Sequence, residues 1–448
     1  MLITTGNVLT DSTLRAAVIE KEEAHRLSEY CPETFSRLNL EKRSRFLQLA
    51  EQAGSPSDIT AETCAQALRE LPIQSKQDLR DAVSAFLREN NDPKEYFSAF
   101  TTGSTGTPIE TYFRKDYYVN FYARRSFWLK EAGVTFNHSE NLLLYLAGGP
   151  KAEGYKAQRQ PGLDSANVFQ LSVHSSRNSE EEVVRRVEEI KPKVIHSTPS
   201  AALRLVEILK GQDKAGIPKL ELLLLGAEAV YGHQKASLEG FFSVPVLSGY
   251  GLTEVGGTIA EQCLEAQGYH INCLDYWVEI VDDQGDPVPP GTEGEILISN
   301  LWNEPIRLQR YRTGDFGVLR EDKCPCGRIS PRIASLTGRQ ITRFLGPDGS
   351  HYQPYFKFQM YYGAIPYKQF QFVQTAWREL SFYYVAESNL EDHPMLRALV
   401  REIIAFYDGR VTLLVHRVPS IKQEGRKLHN FLNMMEVQQQ AEHHKQQG

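Results

Sequence analysis

Apolar residues in this chain follow two rhythms that exchange places along its length. Over residues 12–90 they recur at helical spacing among Glu, Arg and Gln, as in ETFSRLNLEKRSRFLQLAEQA, and predict a helical lead-in. Further on they gather into short unbroken runs: NLLLYLA (141–147), KVIHST (193–198), LELLLLGA (220–227) and VPVLSGYG (244–251). Runs of that length bounded by turn residues predict buried strands. Between them, SEEEVVRRVEEI (179–190) and PSAALRLVEILKG (199–211) carry an apolar stripe at helical spacing and predict amphipathic helices. Strand and helix in alternation predict a largely parallel sheet covered on both faces. From residue 276 the pattern turns β-rich, and YWVEIVDDQGDPVPPGTEGEILIS predicts two strands around a Gly/Pro/Asp turn. The C-terminal stretch predicts a smaller β/α mixture ending in a frayed polar tail, QQQAEHHKQQG. The fold class is therefore α/β: a large domain over 1–338, with 1–90 as its helical lead-in, and a small α+β domain over 339–448.

Composition narrows the functional classes more than it changes this picture. A chain of 448 residues exceeds one compact core and predicts two or three domains. A formal net charge of −6 argues against a nucleic-acid surface and gives no polybasic membrane patch. No apolar run approaches the roughly 18 residues of a membrane span, and MLITTGNVLTDSTLR lacks the pattern of a signal peptide. Six cysteines in a chain this long do not make a disulfide scaffold, so the expected compartment is the cytoplasm.

Candidate chemistry gathers in four places. FTTGSTGTP (100–108) joins glycines to small hydroxyl residues, and such a loop can present backbone N–H groups and hydroxyls to a polyphosphate. It is not a Walker A sequence, because no Gly-Lys-Ser/Thr closes it. GYGLTEVGG (249–257) follows a predicted strand and puts a ring, a hydroxyl and a carboxylate on one turn: Tyr250, Thr253 and Glu254. YRTGDFGVL (311–319) places Asp315 after a glycine turn, where a carboxylate could hold two vicinal hydroxyls of a ribose. LTGRQITRF (336–344) puts Arg339 after another glycine. Each stretch alone also fits an ordinary turn.

In this order and spacing the four motifs resemble those of the adenylate-forming superfamily, in particular its phenylacetate–coenzyme A ligase branch. KPKVIHSTPSAAL (191–203), GAEAV (226–230) and CPCGRISPRI (324–333) are similar to that branch as well, and the likeness covers roughly residues 90–430. The resemblance implies an ATP-dependent acid–thiol ligase with a mobile C-terminal domain. A carboxylate, expected to be an aryl or arylacetic acid, attacks the α-phosphate of ATP. Pyrophosphate leaves, and coenzyme A then takes the acyl group. Thr102, Gly103, Ser104, Thr105 and Gly106 would hold the leaving phosphates. Gly226, Ala227, Glu228 and Gly251 would border the nucleotide, with Tyr250 packed on adenine. Thr253 would bond the α-phosphate, Glu254 would ligate Mg²⁺, and Asp315 with Arg339 would hold the ribose.

Three positions depart from the superfamily pattern: Ile109 stands where a lysine is usual, Gln340 where an acid is common, and in EGRKLHN Arg426 directly follows Gly425. Lys427 is the expected adenylation lysine, with Arg426 and Lys422 as rivals. The chain is expected to bend at Gly338–Gln340 between its two half-reactions. Alternatives are transfer of the acyl group to a carrier-protein thiol or an amine, or a non-catalytic nucleotide-binding protein that kept the fold. A homodimer is a further expected state.

Cys324 and Cys326 form a tight Cys-x-Cys turn, and EQCLEAQGYH supplies Cys263 and His270. Three thiolates and an imidazole make a set suited to tetrahedral structural zinc, and similar positions recur in the resembled branch. Free thiols are the alternative, and Cys273 is a spare ligand. His138, His174 and His196 stand isolated, with His196 in a predicted strand-to-helix turn that could touch substrate. Phe100, Tyr145, Phe169 and Tyr250 are candidates to line an acyl pocket.

Overall fold

The computed structural model describes residues 12–49, 60–89, 92–100, 109–114, 117–134, 141–147, 155–159, 167–173, 177–214, 216–265, 268–339, 343–352, 354, 358, 361, 364–421 and 430–436. The lead-in forms four helices: α1 (Ser12–Tyr30), α2 (Pro32–Leu49), α3 (Ala61–Glu70) and α4 (Lys76–Arg88). Their starts are written locally. Thr60 accepts the amide of Thr63 at α3, and Ser75 accepts the amides of Gln77 and Asp78 at α4, each completing a capping box. A short antiparallel hairpin of β1 (Phe97–Phe100) and β2 (Glu110–Phe113) then leads into α5 (Tyr117–Glu131).

The middle of the chain builds one twelve-stranded sheet. Its parallel part comes from β3 (Asn141–Ala147), β5 (Asn167–Ser172), β6 (Val194–Ser197), β7 (Leu222–Leu225) and β8 (Val246–Leu252), with β4 (Tyr155–Arg159) antiparallel on the β5 edge. All four residues of β7 are buried, as a strand covered on both faces requires. Three helices cross over between the strands: α6 (Glu180–Ile190), α7 (Pro199–Gly211) and α8 (Gly232–Phe242). Ser179 and Thr198 cap α6 and α7 through their hydroxyls, and Pro199 opens α7 where its missing N–H costs nothing.

From β8 onward the sheet turns antiparallel through β9 (Gly257–Glu261), β10 (Tyr269–Ile271), β11 (Tyr276–Val281), β12 (Glu293–Asn300), β13 (Tyr311–Arg320) and β14 (Arg332–Arg339). The strand order is β11-β12-β13-β14-β10-β9-β8-β7-β6-β3-β5-β4. The expected parallel sheet and the expected β-rich region are thus one continuous sheet that changes character at β8. The alternation of burial along β13 fits a strand with one face in the core.

Two compact units divide the chain. One takes residues 1–101, 108–227 and 238–336; the other takes 102–107, 228–237 and 337–448. The second unit contains the short pair β15 (Phe344–Leu345) and β16 (His351–Tyr352) and a four-stranded sheet. That sheet is formed by β17 (Gln369–Ala376), β18 (Glu379–Val385), β19 (Thr412–Arg417) and β20 (Phe431–Asn433), in the order β19-β18-β17-β20, with helix α9 (Pro394–Phe406). Its core is aromatic: Phe370, Phe372, Phe382, Tyr384 and Phe431 are buried with Leu396, Leu399 and Ile403 of α9. The polar tail from 437 lies outside the described residues.

Candidate nucleotide and acyl site

The turn after β8 is shaped by glycines that nothing larger can replace in place. A Cβ on Gly251 would lie 2.4 Å from the carbonyl oxygen of Gly257. Gly256 has φ +88°, a left-handed conformation that disfavours side chains, and its Cβ would lie 2.7 Å from the Trp302 ring. The hairpin between β8 and β9 can therefore close tightly around the single 3₁₀ turn Thr253–Val255. That turn carries Thr253 and Glu254, both half-buried.

Tertiary pairing joins the two sequence motifs. The Tyr250 hydroxyl donates to Asp315 Oδ2 at 3.0 Å, and the Tyr311 hydroxyl donates to Glu254 Oε1 at 3.2 Å. Asp315 is fixed from its own strand, since its amide donates to Thr313 Oγ1 at 3.0 Å, and that hydroxyl donates to the carbonyl of Ile296 at 2.8 Å. Tyr250 is 9% exposed, with its ring among the core residues of the antiparallel part of the sheet. Sequence reading singled out Tyr250, Glu254 and Asp315 but missed Tyr311, whose only signal was its place in the same YRTGD run.

Gly226 follows β7, and its amide donates to the carbonyl of Ser197 at 3.1 Å. Ala227 takes φ +65°, uncommon for a residue with a side chain. Glu228 falls within the stretch that belongs to the second unit. Arg339 ends β14. Thr102, Gly103, Ser104, Thr105, Gly106, Gln340 and Lys427 lie outside the described residues, as do His138 and His174.

Next to this turn lies a cavity lined by Phe121, Arg125 and Trp128 of α5, His196 of β6, Gly256 and Trp302. A Cβ on Gly226 would sit 3.8 Å from His196 Nε2, so the imidazole borders both the cavity and the end of β7. Of the expected acyl-pocket residues, Tyr145 packs on His196 with ring centroids 5.2 Å apart, whereas Phe100 is 62% exposed. The α5 residues gave no sequence signal, because YYVNFYARRSFWLKE reads as a packing helix.

The four expected zinc ligands meet. Cys263 follows β9, His270 lies on β10, and Cys324 and Cys326 belong to the loop between β13 and β14. Their ligand atoms all lie within 4.8 Å of one another. Cys263 Sγ and Cys324 Sγ are 3.7 Å apart, and Cys326 Sγ is 3.3 Å from His270 Nε2. Tetrahedral zinc with Zn–S bonds of about 2.3 Å separates two sulfurs by about 3.8 Å, so the spacing suits that ion. His270 Nδ1 lies 3.1 Å from Ser330 Oγ, which leaves Nε2 to face the thiols. Cys273 is buried in the hydrophobic core instead and takes no part.

The family described as AMP-binding enzyme matches residues 6–303. A phenylacetate–coenzyme A ligase of Thermus thermophilus is 34% identical over 166 residues, which cover 36% of this chain and 37% of that protein. Another from Pseudomonas putida is 29% identical over 311 residues, 66% of this chain and 65% of that protein. This chain thus matches at most 65% of the length of either relative. In fold it is similar to a 2-hydroxyisobutyryl-CoA ligase solved with 2-HIB-AMP in the postadenylation state: TM-score 0.67, 16% identity, 100% of this chain and 97% of that one. It is also similar to the anthranilate CoA ligase AuaEII solved with anthranoyl-AMP: TM-score 0.55, 12% identity, 79% of this chain and 67% of that one. With the family match running over more than half of its length, this chain belongs to the AMP-binding enzyme family.

Proposed function

We propose that the protein activates a carboxylic acid, aryl or arylacetic in class, as an acyl adenylate and passes the acyl group to coenzyme A. The observation that carries this reading is the pairing of the YGLTE and YRTGD motifs through Tyr250–Asp315 and Glu254–Tyr311. Two carboxylates are thereby held near one turn: Asp315 for the ribose hydroxyls and Glu254 for the metal that accompanies ATP. Mg²⁺, when bound, neutralises charge on the phosphates as pyrophosphate leaves. Thr253, one residue before Glu254, supplies a hydroxyl for the α-phosphate. The phosphate loop Thr102–Gly106 would add backbone amides and hydroxyls, and Arg339 a guanidinium for the ribose.

On this reading residues 339–448 form a lid that turns about Gly338–Gln340, bringing Lys427 to the carboxylate and α-phosphate for adenylation and away for thioester formation. A compact ammonium suits that place because it can lie between two anions. Cys263, His270, Cys324 and Cys326 would hold a structural zinc, since four protein ligands leave no open position for chemistry. The reading also puts the enzyme in the cytoplasm, in keeping with the free thiols.

The test is exchange of labelled pyrophosphate into ATP across a panel of carboxylic acids, followed by thioester formation with coenzyme A. Acid-dependent exchange together with thioester supports the ligase. Exchange without thioester shifts the acceptor to a carrier-protein thiol or an amine, and no exchange with any acid leaves a nucleotide-binding protein without this chemistry.

A further inference from the structure

Helix α5 carries two adjacent arginines with opposite fates. Successive residues of a helix point about 100° apart, so Arg124 and Arg125 face different surroundings. Arg124 lies 2.9 Å from Glu261 and 3.4 Å from Glu29, and its charge is matched. Arg125 turns into the cavity and meets no carboxylate among the described residues. Its guanidinium lies over aromatic faces, 4.2 Å from the Phe121 centroid and 5.0 Å from that of Tyr145. It is 8% exposed, and its Nη1 is shielded from solvent without a hydrogen-bond partner among the described residues. Burial pushes its pKa down to about 10, which leaves it charged at neutral pH.

The carboxylates that line the same cavity are engaged elsewhere. Glu261 is held by Arg124 and by Arg328 at 3.4 Å. Asp275 accepts from Lys21 at 2.6 Å and from Asn272 at 3.0 Å. Beside Arg125, His196 Nδ1 and the Tyr145 hydroxyl are likewise shielded and unpartnered among the described residues. Burial first, and Arg125 second, hold the His196 imidazole well below its ordinary pKa, so it stays neutral. A buried cation without a counter-charge is costly to keep. Among the described residues that line the cavity, Arg125 Nη1, His196 Nδ1, Trp302 Nε1 and Asn272 Oδ1 are shielded and unpartnered, and an incoming acceptor group would satisfy the donors among them.

We propose that the acid activated here is an aromatic acid with a second anionic group, a dicarboxylate in the simplest case, whose distal carboxylate pairs with Arg125 beside His196 and Tyr145. Phe121, Trp128 and Trp302 line the same space. The reacting carboxylate would point toward Gly226 and Gly256, next to the Thr253–Glu254 turn. A site built around a polar partner discriminates strongly against a ligand that lacks it, because the buried groups are then left unpaired. This inference rests on the adenylating reading above for its reaction, but not for its binding.

The experiment compares phenylacetate with 4-carboxyphenylacetate in two measurements: pyrophosphate exchange and calorimetric binding without nucleotide. Wild-type protein should favour the dicarboxylate by about 10²-fold in kcat/KM and in affinity. Arg125→Met should bring both ratios to near unity. Arg125→Lys, which keeps the charge but loses the planar fork, should retain about a tenth of the preference. Circular dichroism establishes that each variant is folded, and the lysine variant carries the comparison if the methionine variant is not. Exchange with both acids and no Arg125-dependent preference overturns the inference and spares the adenylating reading. Arg125-dependent binding of the dicarboxylate without any exchange does the reverse. Absence of both removes both.

Discussion

At Glu254 a half-buried carboxylate accepts a hydrogen bond from Tyr311 on Oε1. A carboxylate so held is oriented before any metal arrives, which is how a ligand for the ATP-bound cation is pre-positioned. Glu254→Gln keeps the shape and removes the charge, and should lower pyrophosphate exchange by about 10²-fold. Tyr311→Phe removes only the orienting bond and should cost less, about tenfold or under, in line with roughly 1 kcal/mol for one hydrogen bond. Steady-state exchange rates of the two variants check the order. Full exchange in Glu254→Gln would move the metal to another carboxylate.

Helix α1 is tied to the sheet by buried charge rather than by apolar contact alone. Glu29 accepts from Arg328 at 2.8 Å, and Arg124 stands between Glu29 and Glu261. Burial alone would push the Glu29 carboxyl up, but the Arg328 and Arg124 guanidiniums outweigh it and bring the pKa down from the ordinary 4.5 to about 2. A lowered folded-state pKa adds stability that is present above the unfolded value and lost as pH falls through the folded one. The contribution of Glu29 is therefore complete at neutral pH and disappears between about pH 4.5 and 2. Glu29→Gln should destabilise by about 3 kcal/mol at pH 7, because it strands a buried guanidinium, and should flatten the acid limb of the stability curve. Denaturant unfolding at pH 7 and pH 4 measures both effects.

A second tie joins three elements just past the same end of β9: Cys263 two residues after the strand, His270 of β10, and the loop before β14. Purified protein should carry about one zinc per chain, as a four-ligand structural site requires. Cys324→Ser should lose most of it and unfold at lower temperature, since the ion's binding energy is then folding energy. Elemental analysis of protein never exposed to chelator decides the matter, and metal far below one equivalent would leave the four residues as packed thiols and an imidazole.

For the molecule as a whole, the proposed chemistry asks two half-reactions of a chain built as two units. The last crossing of the chain between the units falls at 336–337, beside Gly338, although 102–107 and 228–237 also group with the second unit. A backbone rotation there is the proposed pivot for 339–448. Gln340→Pro restricts φ and removes an N–H at that crossing. It should impair thioester formation more than pyrophosphate exchange, because hinge changes act on one conformational step. Lys427→Ala should do the opposite, lowering exchange by about 10²-fold while sparing thioester formation from a presynthesised adenylate. Running Arg426→Ala alongside assigns the role if it lies one residue back. Equal losses in both half-reactions would remove the two-position reading.

Much of the frame was determined by the sequence itself, because its causes are local. Unbroken apolar runs such as LELLLLGA must be buried on both faces, so β7 and its neighbours could be read without coordinates. Ser179, Thr198 and Pro199 mark helix starts by chemistry that acts within three or four residues. The ordered glycine, YGLTE and YRTGD motifs likewise carried the family, and residue type together with the resemblance picked out the four zinc-ligand candidates. Tertiary structure decided what depends on residues far apart in the chain. It joined Tyr250 to Asp315 and Glu254 to Tyr311, 65 and 57 positions away, and it brought Cys263 and His270 to the turn at Cys324. It also separated Arg124 from Arg125, which no reading of YARRSF could do. Both lie on one helix as like charges, and only the carboxylates gathered around the first and the aromatic faces around the second give them different tasks. A side chain's type is fixed by its codon, but its counter-charge comes from whichever strand the fold lays beside it.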